Sequence, residues 1–279
     1  MTSSELYTVY SKNNCSYCDR AIDLIEDQGF QVQIKKIDEN DFPDLEKFIL
    51  HRLWEVNKTI QECVKTFNFH LMFTTLLNFC SNDLSAFYFD IRKDVIYCDG
   101  KKSIERRSAR TLLDTIFNYL VRWFAPSLSF TTEEAWKSRN NDSSIHLEDF
   151  LITPESYKNS KVNETWITLK QIRKVITGAL EKKRADKIIG SSLEAHIDIY
   201  LEKSILEKVK NYQLDEISIT SSFELHEITS NSEGFSLEEV SDVKVEVSKT
   251  SGQKCQRCWK YKKQLIRDEI CSRCDNAIS

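Results

Sequence analysis

Four of the nine cysteines lie in two C-x-x-C pairs near the C-terminus: Cys255 with Cys258, and Cys271 with Cys274. Two intervening residues allow a tight turn to direct both sulfur atoms of a pair at one point, and a short hairpin can then bring the two pairs together. This spacing predicts one structural zinc ion in a closed tetrahedral site. Two disulfides are the alternative, but the sequence carries no extracellular targeting signal to favour them.

A further C-x-x-C pair, Cys15 and Cys18, lies near the N-terminus. Residues 6–10 alternate as in a strand, residues 19–28 have helical apolar spacing, and residues 32–37 suggest a second strand. The pattern predicts a βαβ unit with Cys15 at the turn into its helix, where the helix dipole favours a thiolate. Cys15 would then attack a disulfide and Cys18 would resolve the intermediate, so a thiol-disulfide oxidoreductase is one candidate function.

Positive charge surrounds the C-terminal cysteines, although the whole chain has 39 basic and 43 acidic residues. Basic side chains can neutralise phosphates and aromatic side chains can stack on unpaired bases, which suits RNA loops. A second basic cluster lies at residues 182–184. Both could also be ordinary solvated surface. The candidate RNA-binding residues are Arg257, Trp259, Lys260, Lys262, Lys263, Lys182, Lys183 and Arg184.

Helical periodicity begins at Asp44 and dominates the middle of the chain. Apolar residues repeat on one face of residues 45–56, and further helical stretches cover residues 69–98, 101–124 and 166–183. These helices predict a bundle that needs no cofactor. Seven aromatic residues are interpreted as bundle core: Phe67, Phe69, Phe73, Phe79, Phe87, Tyr88 and Phe89. Residues 202–249 contain eleven acidic and five basic residues in partly alternating patterns, which indicates a small acidic α/β module.

Five stretches resemble, in order, the C-terminal part of a bacterial-type isoleucyl-tRNA synthetase. They read LEKFILHRL, LNFCSNDLSAFYFDIRKDVIYCD, VRWFAPSLSFTTEEAW, KIIGSSLEA and the closing C-x-x-C-W with its second C-x-x-C. The resemblance implies a helical bundle that binds the anticodon arm, an isoleucine-specific tRNA as partner, and one structural Zn²⁺ on the four C-terminal cysteines. The start of the chain resembles the first half of a dithiol glutaredoxin, with Ser16 in place of proline in the C-P-Y-C motif.

Both resemblances are partial. The synthetase motifs His-x-Gly-His and Lys-Met-Ser-Lys-Ser do not occur, and the glutaredoxin Thr-Val-Pro loop and Gly-Gly turn are absent from the sequence. We therefore expect no aminoacylation from this chain alone. ATP would be needed only by the intact family enzyme, and a separate catalytic part could act in trans.

The predicted fold is mainly α, a helical bundle with a thioredoxin-like βαβ fragment and two small C-terminal modules. We expect a cytoplasmic monomer with no membrane partner, because no run of eighteen apolar residues occurs. The predicted domains are a truncated glutaredoxin-like fragment (1–43), a helical anticodon-binding domain (44–201), an acidic α/β module (202–252) and a zinc ribbon (253–279).

Overall fold

The computed structural model describes residues 6–11, 16–28, 30–36, 39–139 and 143–279. The chain is divided into two compact units. The first comprises Met1–Phe79 and Lys101–Lys158, and the second comprises Cys80–Gly100 and Asn159–Ser279.

Helices provide most of the regular structure. A π-helical segment, Phe79–Phe89, follows the third helix directly. The α-helices are α1 Ser16–Asp27, α2 Asp44–Thr66, α3 Phe69–Asn78, α4 Asp90–Cys98, α5 Ile104–Phe124, α6 Ser129–Lys137, α7 Ser160–Ala185, α8 Lys203–Val209, α9 Leu214–Ser218 and α10 Ser272–Ile278. Among the described helices, none is long and apolar enough to cross a membrane.

Within the described ranges, the strands form three separate sheets. They are β1 Leu6–Ser11, β2 Gln31–Lys36, β3 Ala195–Leu201, β4 Ser222–Glu227, β5 Phe235–Leu237, β6 Val240–Lys249, β7 Gln253–Lys254 and β8 Tyr261–Lys262. In the N-terminal sheet, β1 pairs in parallel with β2, from Leu6 opposite Gln31 to Ser11 opposite Lys36. Since α1 connects these two strands, the predicted βαβ unit is confirmed.

Residues of α2 and α5 supply much of the apolar core of the first unit. The predicted apolar face of α2 is buried from Leu45 to Val56, and Trp123 of α5 is fully buried. Burying each such side chain stabilises the fold by about 1.5–3 kcal/mol. The prediction that all seven aromatics belong to the core is wrong, because four of them are exposed: Phe67, Phe69, Phe73 and Phe89. Phe67 takes a left-handed backbone conformation that ends α2, and its ring packs edge-on against Phe69 instead.

The second unit contains a four-stranded mixed sheet in the order β4-β3-β6-β5. One face is apolar, because Ile197 and Ile199 of β3 and Val245 of β6 are all buried. Helix α7 packs on β5 and β6, and a Cβ atom at Gly178 would lie only 2.6 Å from the Phe235 ring. A larger residue at position 178 would therefore have to displace the Phe235 ring. Strand β3 pairs in parallel with β4 and antiparallel with β6.

The last 27 residues form a small ribbon, defined here as residues 253–279. Strands β7 and β8 pair antiparallel with Gln253 opposite Lys262, and α10 follows the second cysteine pair. Its small core is built from the four cysteines together with Ile270 and Cys98 of α4. Two short strands and a seven-residue helix bury too little apolar surface to be stable alone, so this ribbon needs a further cross-link.

Candidate metal centre and nucleic-acid interface

The two C-terminal cysteine pairs meet at one point. The four sulfur atoms lie within 4.8 Å of one another, and all four residues are buried. The Sγ atoms of Cys258 and Cys271 are 3.8 Å apart. A tetrahedral ion with metal-sulfur bonds of about 2.3 Å would place its ligands about 3.8 Å from one another. The predicted cysteines therefore form a cluster that could hold a metal ion.

Local backbone geometry aims the sulfurs inward. In the first pair, the amide of Trp259 donates to the Cys255 carbonyl at 2.9 Å, which closes the turn. In the second pair, Cys271 caps α10 and its amide donates to the Cys255 sulfur at 3.3 Å. Burial opposes ionisation of Cys255, but this amide and those of Cys258 and Arg257 lower the pKa of its thiol to about 6. Amide groups directed at sulfur in this way stabilise the thiolate that a metal ion requires.

Two arginines attach the ribbon to the C-terminal end of α4. The Arg257 guanidinium donates to the backbone carbonyls of Cys98 and Tyr97, the latter at 3.1 Å. Arg273 donates to the carboxylates of Asp94 and Asp99, each at 2.7 Å. The last carbonyls of a helix lack partners within the helix, so a guanidinium satisfies them and complements the helix dipole.

Lys260 differs from the predicted phosphate-binding lysine. It is only 8% exposed, and its ammonium lies 3.1 Å from the Asp215 carboxylate of α9. Its charge is therefore partnered inside the protein, and Lys260 is the position in the predicted RNA-binding set least suited to a phosphate. Arg257 is likewise engaged with α4, as described above.

Trp259 has the features expected of a binding residue. Its side chain is 59% exposed, and the Lys254 ammonium lies 5.6 Å from the centre of the ring. Its backbone φ is +64°, a left-handed conformation that is unfavourable for a bulky residue. Strained, exposed residues of this kind are concentrated at functional sites. Lys263 is also exposed, and Lys262 is half-buried in β8.

A cavity of about 430 Å³ lies beside Trp259. The cavity is lined by residues of α4, by residues in or next to α9, and by the first cysteine turn. Tyr97 of α4 is one of the lining residues and is itself 77% exposed. The two aromatic rings of Trp259 and Tyr97 could accept a flat heterocycle, and the charged residues of the lining include both acids and bases. Sequence reasoning missed this cavity, since Tyr97 lies far from the ribbon along the chain.

The second basic cluster lies in the last turn of α7. Lys182 and Arg184 are exposed and Lys183 is half-buried, while Arg184 pairs with Glu181 of the same helix. Positive residues at this position stabilise the helix through its dipole irrespective of any ligand. Their local geometry alone therefore does not distinguish an RNA contact from a helix-stabilising role.

The N-terminal dithiol is only partly described. Cys18 lies in the first turn of α1, which begins at Ser16 and thus three residues before the predicted helix, and its side chain lies outside the described part of the chain. Cys15 lies outside the described residues. The predicted attack by Cys15 therefore stays a prediction.

The fold and the cysteine cluster can now be set beside known proteins. The family described as "Anticodon-binding domain of tRNA ligase" matches residues 46–199, which is more than half of the chain. The chain belongs to this family. The glutaredoxin family matches residues 7–55 and so extends past the predicted boundary at residue 43 into α2.

Several similar curated proteins carry the name isoleucine-tRNA ligase. The protein from Pelagibacter ubique is 43% identical over 240 residues, covering 86% of this chain and 25% of that protein. The protein from Bartonella henselae is 43% identical over 247 residues, covering 88% and 25%, and that from Agrobacterium fabrum is 42% identical over 222 residues, covering 79% and 23%. The chain thus spans about a quarter of the length of these relatives.

Proposed function

We propose that this chain binds the anticodon arm of tRNA and prefers the tRNA for isoleucine. The observation that carries the proposal is the family match over residues 46–199 together with 43% identity to an isoleucine-tRNA ligase. On this proposal the helices of residues 44–201 form the anticodon-binding domain, residues 202–252 a spacer module, and residues 253–279 a ribbon that contributes to RNA binding.

The exposed part of the ribbon and the neighbouring end of α4 support a role in RNA binding. Trp259 and Tyr97 offer aromatic surface next to the cavity, and Lys254 and Lys263 carry positive charge to solvent. Stacking of an unpaired base on an aromatic ring contributes about 1–3 kcal/mol, and lysines nearby would neutralise the adjacent phosphates. A splayed anticodon loop presents both unpaired bases and closely spaced phosphates.

We further propose that the metal in the cysteine cluster is a single zinc ion with a structural role. Thiolates are soft ligands that suit zinc, and four of them leave a tetrahedral ion no open position for a substrate. When bound, zinc would cross-link the two cysteine turns. The chain's own groups would hold the four sulfurs in place, through amides directed at Cys255 and through the two arginines bonded to α4 and to the residue that follows it.

On this proposal, aminoacylation and the binding of ATP are activities of the intact ligases and not of this chain alone. A separate catalytic part could supply them in trans. The cytoplasmic location and the monomeric state remain predictions from sequence.

The test is binding of the purified chain, at physiological salt, to transcripts of isoleucine tRNA and of an unrelated tRNA. We expect tighter binding to isoleucine tRNA, and we expect exchange of its anticodon bases to abolish the preference. Equal affinity for the two tRNAs would contradict anticodon recognition and would leave only a basic surface without specificity.

A second candidate function is thiol-disulfide exchange through Cys15 and Cys18. The glutaredoxin match over residues 7–55 and the parallel β1-α1-β2 arrangement favour it. Because the later glutaredoxin motifs do not occur in the sequence, we expect little glutathione-dependent reduction of a model disulfide. Robust turnover that disappears in Cys15→Ser would reverse the ranking of the two functions.

A further inference from the structure

A polar cluster lies on the outer face of the four-stranded sheet, opposite the face that packs on α7. Strands β3 and β4 run parallel and in register, with Asp198 opposite Glu224 and Tyr200 opposite His226. Because side chains alternate along a strand, Asp198, Glu224 and His226 all project from the same face. Neighbouring Ile197 and Ile199 project from the other face and are buried.

The side chains of this cluster converge on a small volume. The Nε2 atom of His226 lies 2.8 Å from a carboxylate oxygen of Asp198 and 4.0 Å from one of Glu224. One ligand atom from each residue lies within 4.8 Å of the other two. His196 approaches from the same strand as Asp198, with its Nε2 3.6 Å from the second Asp198 oxygen. Asp198 therefore lies between two imidazoles.

Charge on this face favours a cation. Asp198 has Glu224 opposite on one neighbouring strand and Glu246 opposite on the other, so three carboxylates lie in one row across the sheet. Like charges directly opposite one another destabilise a sheet. The ammonium of Lys244, opposite Tyr200 on β6, is bonded to the Ser232 carbonyl at 2.7 Å. A divalent cation among the carboxylates would offset the repulsion.

Both imidazoles are held by neighbours in a way that suits ligation. The Nδ1 atom of His196 is 2.8 Å from the Ser222 hydroxyl, which leaves Nε2 facing Asp198. Held in this way, His196 can orient the Asp198 carboxylate, as residues that contact the ligands of a metal usually do. The His226 ring stacks on Tyr200 with the ring centres 5.0 Å apart, which restricts its rotation.

We propose that Asp198, Glu224 and His226 bind a divalent transition-metal ion such as Zn²⁺, with His196 orienting the Asp198 carboxylate through its second oxygen. Imidazole and carboxylate donors suit such ions, and three protein ligands leave a position for water. This second site differs from the cysteine cluster in chemistry and in access. It offers nitrogen and oxygen rather than sulfur, and His226 and Glu224 are 37% and 66% exposed at the side chain, so its ion should exchange with solvent.

The test uses the full chain after its cysteine cluster has been loaded with zinc and the metal content has been measured. Co²⁺ is then added, and binding is followed by calorimetry and by visible absorption. We expect one additional ion per chain, with weak absorption bands of nitrogen and oxygen ligation. No additional ion, or cobalt bound only with the intense near-ultraviolet bands of sulfur ligation that mark the cysteine cluster, would overturn the proposal.

Two variants decide which residues bind the ion. We expect His226→Asn to weaken the additional binding by about ten-fold or more. The Glu224 side chain is exposed, so we expect Glu224→Gln to leave the fold intact and to weaken metal binding as well. The matched control is His70→Asn, an exposed histidine outside the cluster, which should leave the affinity unchanged. Equal cobalt affinity in the wild type and both cluster variants would refute the site.

Discussion

The ribbon has two faces that differ in what their basic residues do. On the inner face, Arg257 donates to backbone carbonyls at the end of α4. Lys260 pairs with a carboxylate of α9, and Arg273 pairs with carboxylates of α4 and of the residue after it. The outer face comprises the exposed residues Lys254, Lys263 and Trp259, and the Lys254 ammonium lies over the Trp259 ring. Both faces come from one short basic stretch of sequence. Within one run of positive charge, some residues therefore hold the fold together while others stay available to a ligand.

The cost of desolvation explains why the inner residues are paired. A buried ammonium without a partner would lose several kcal/mol of hydration, so Lys260 requires the Asp215 carboxylate. Exposed lysines carry no such requirement and keep their charge free for a phosphate. We therefore expect substitutions on the inner face to change stability, and substitutions on the outer face to change RNA binding.

Removing the metal should have the largest effect, because it affects both faces together. Cys271→Ser leaves three thiolates, and we expect loss of the bound zinc and loosening of residues 253–279, since metal binding and folding of such small sites are coupled. Elemental analysis and hydrogen exchange measure the two effects.

The matched control for the metal is Cys80→Ser, which changes a half-buried cysteine outside the cluster. This variant should keep about one zinc per chain. A full zinc content in Cys271→Ser would show that the four cysteines do not form one site.

The inner face should respond next most strongly. Lys260→Ala leaves Asp215 largely buried without its partner, and we expect the free energy of unfolding to fall by roughly 3 kcal/mol. Lys263→Ala, the exposed control, should change it by no more than about 0.5 kcal/mol. Chemical denaturation of the zinc-loaded chain measures both values.

A double variant separates lost charge pairing from lost packing. Lys260→Met with Asp215→Asn removes both charges and keeps most of the volume, so we expect it to recover much of the lost stability. Equal stability of Lys260→Ala and Lys263→Ala would mean that the inner and outer faces do not differ as described.

Local patterns of the sequence predict the secondary structure and the metal cluster well. The cysteine spacing identifies all four cluster residues, and apolar periodicity identifies the buried face of α2, because both are properties of neighbouring residues. The partners of Lys260 and Arg257 could not be found in this way. Asp215 and Tyr97 lie 45 and 160 positions away, and only the tertiary fold brings them to the ribbon.

The exposed aromatics were missed for a related reason. Phe67 and Phe69 are aromatic and so were predicted to be buried, but both are exposed. Whether other elements cover a helix end depends on residues that are distant in sequence. In the same way, the Asp198 cluster combines residues of two strands that are separated by α8 and α9. Alternation along each strand predicts that one face of the sheet is polar, but it does not predict which side chains meet on that face.

Trp259→Ala tests the outer face without changing its charge. If Trp259 stacks on an unpaired base, binding of isoleucine tRNA should weaken by about 1–3 kcal/mol, and the preference over an unrelated tRNA should decrease. Zinc content and thermal unfolding should not change, since the side chain is mostly exposed. Loss of zinc in this variant would instead assign Trp259 a packing role.

The smallest effect should come from the outer lysines. Replacing Lys254 and Lys263 together by alanine removes two exposed charges that can neutralise phosphates of an unpaired RNA loop. The slope of log affinity against log salt concentration should become shallower by about 1.4, since each single-strand phosphate contributes about 0.7. The loss should be similar for isoleucine tRNA and an unrelated tRNA, because phosphate contacts carry no sequence information. A change in preference without a change in slope would mean that these lysines contact bases, and that Trp259 is not the only outer-face residue that discriminates between tRNAs.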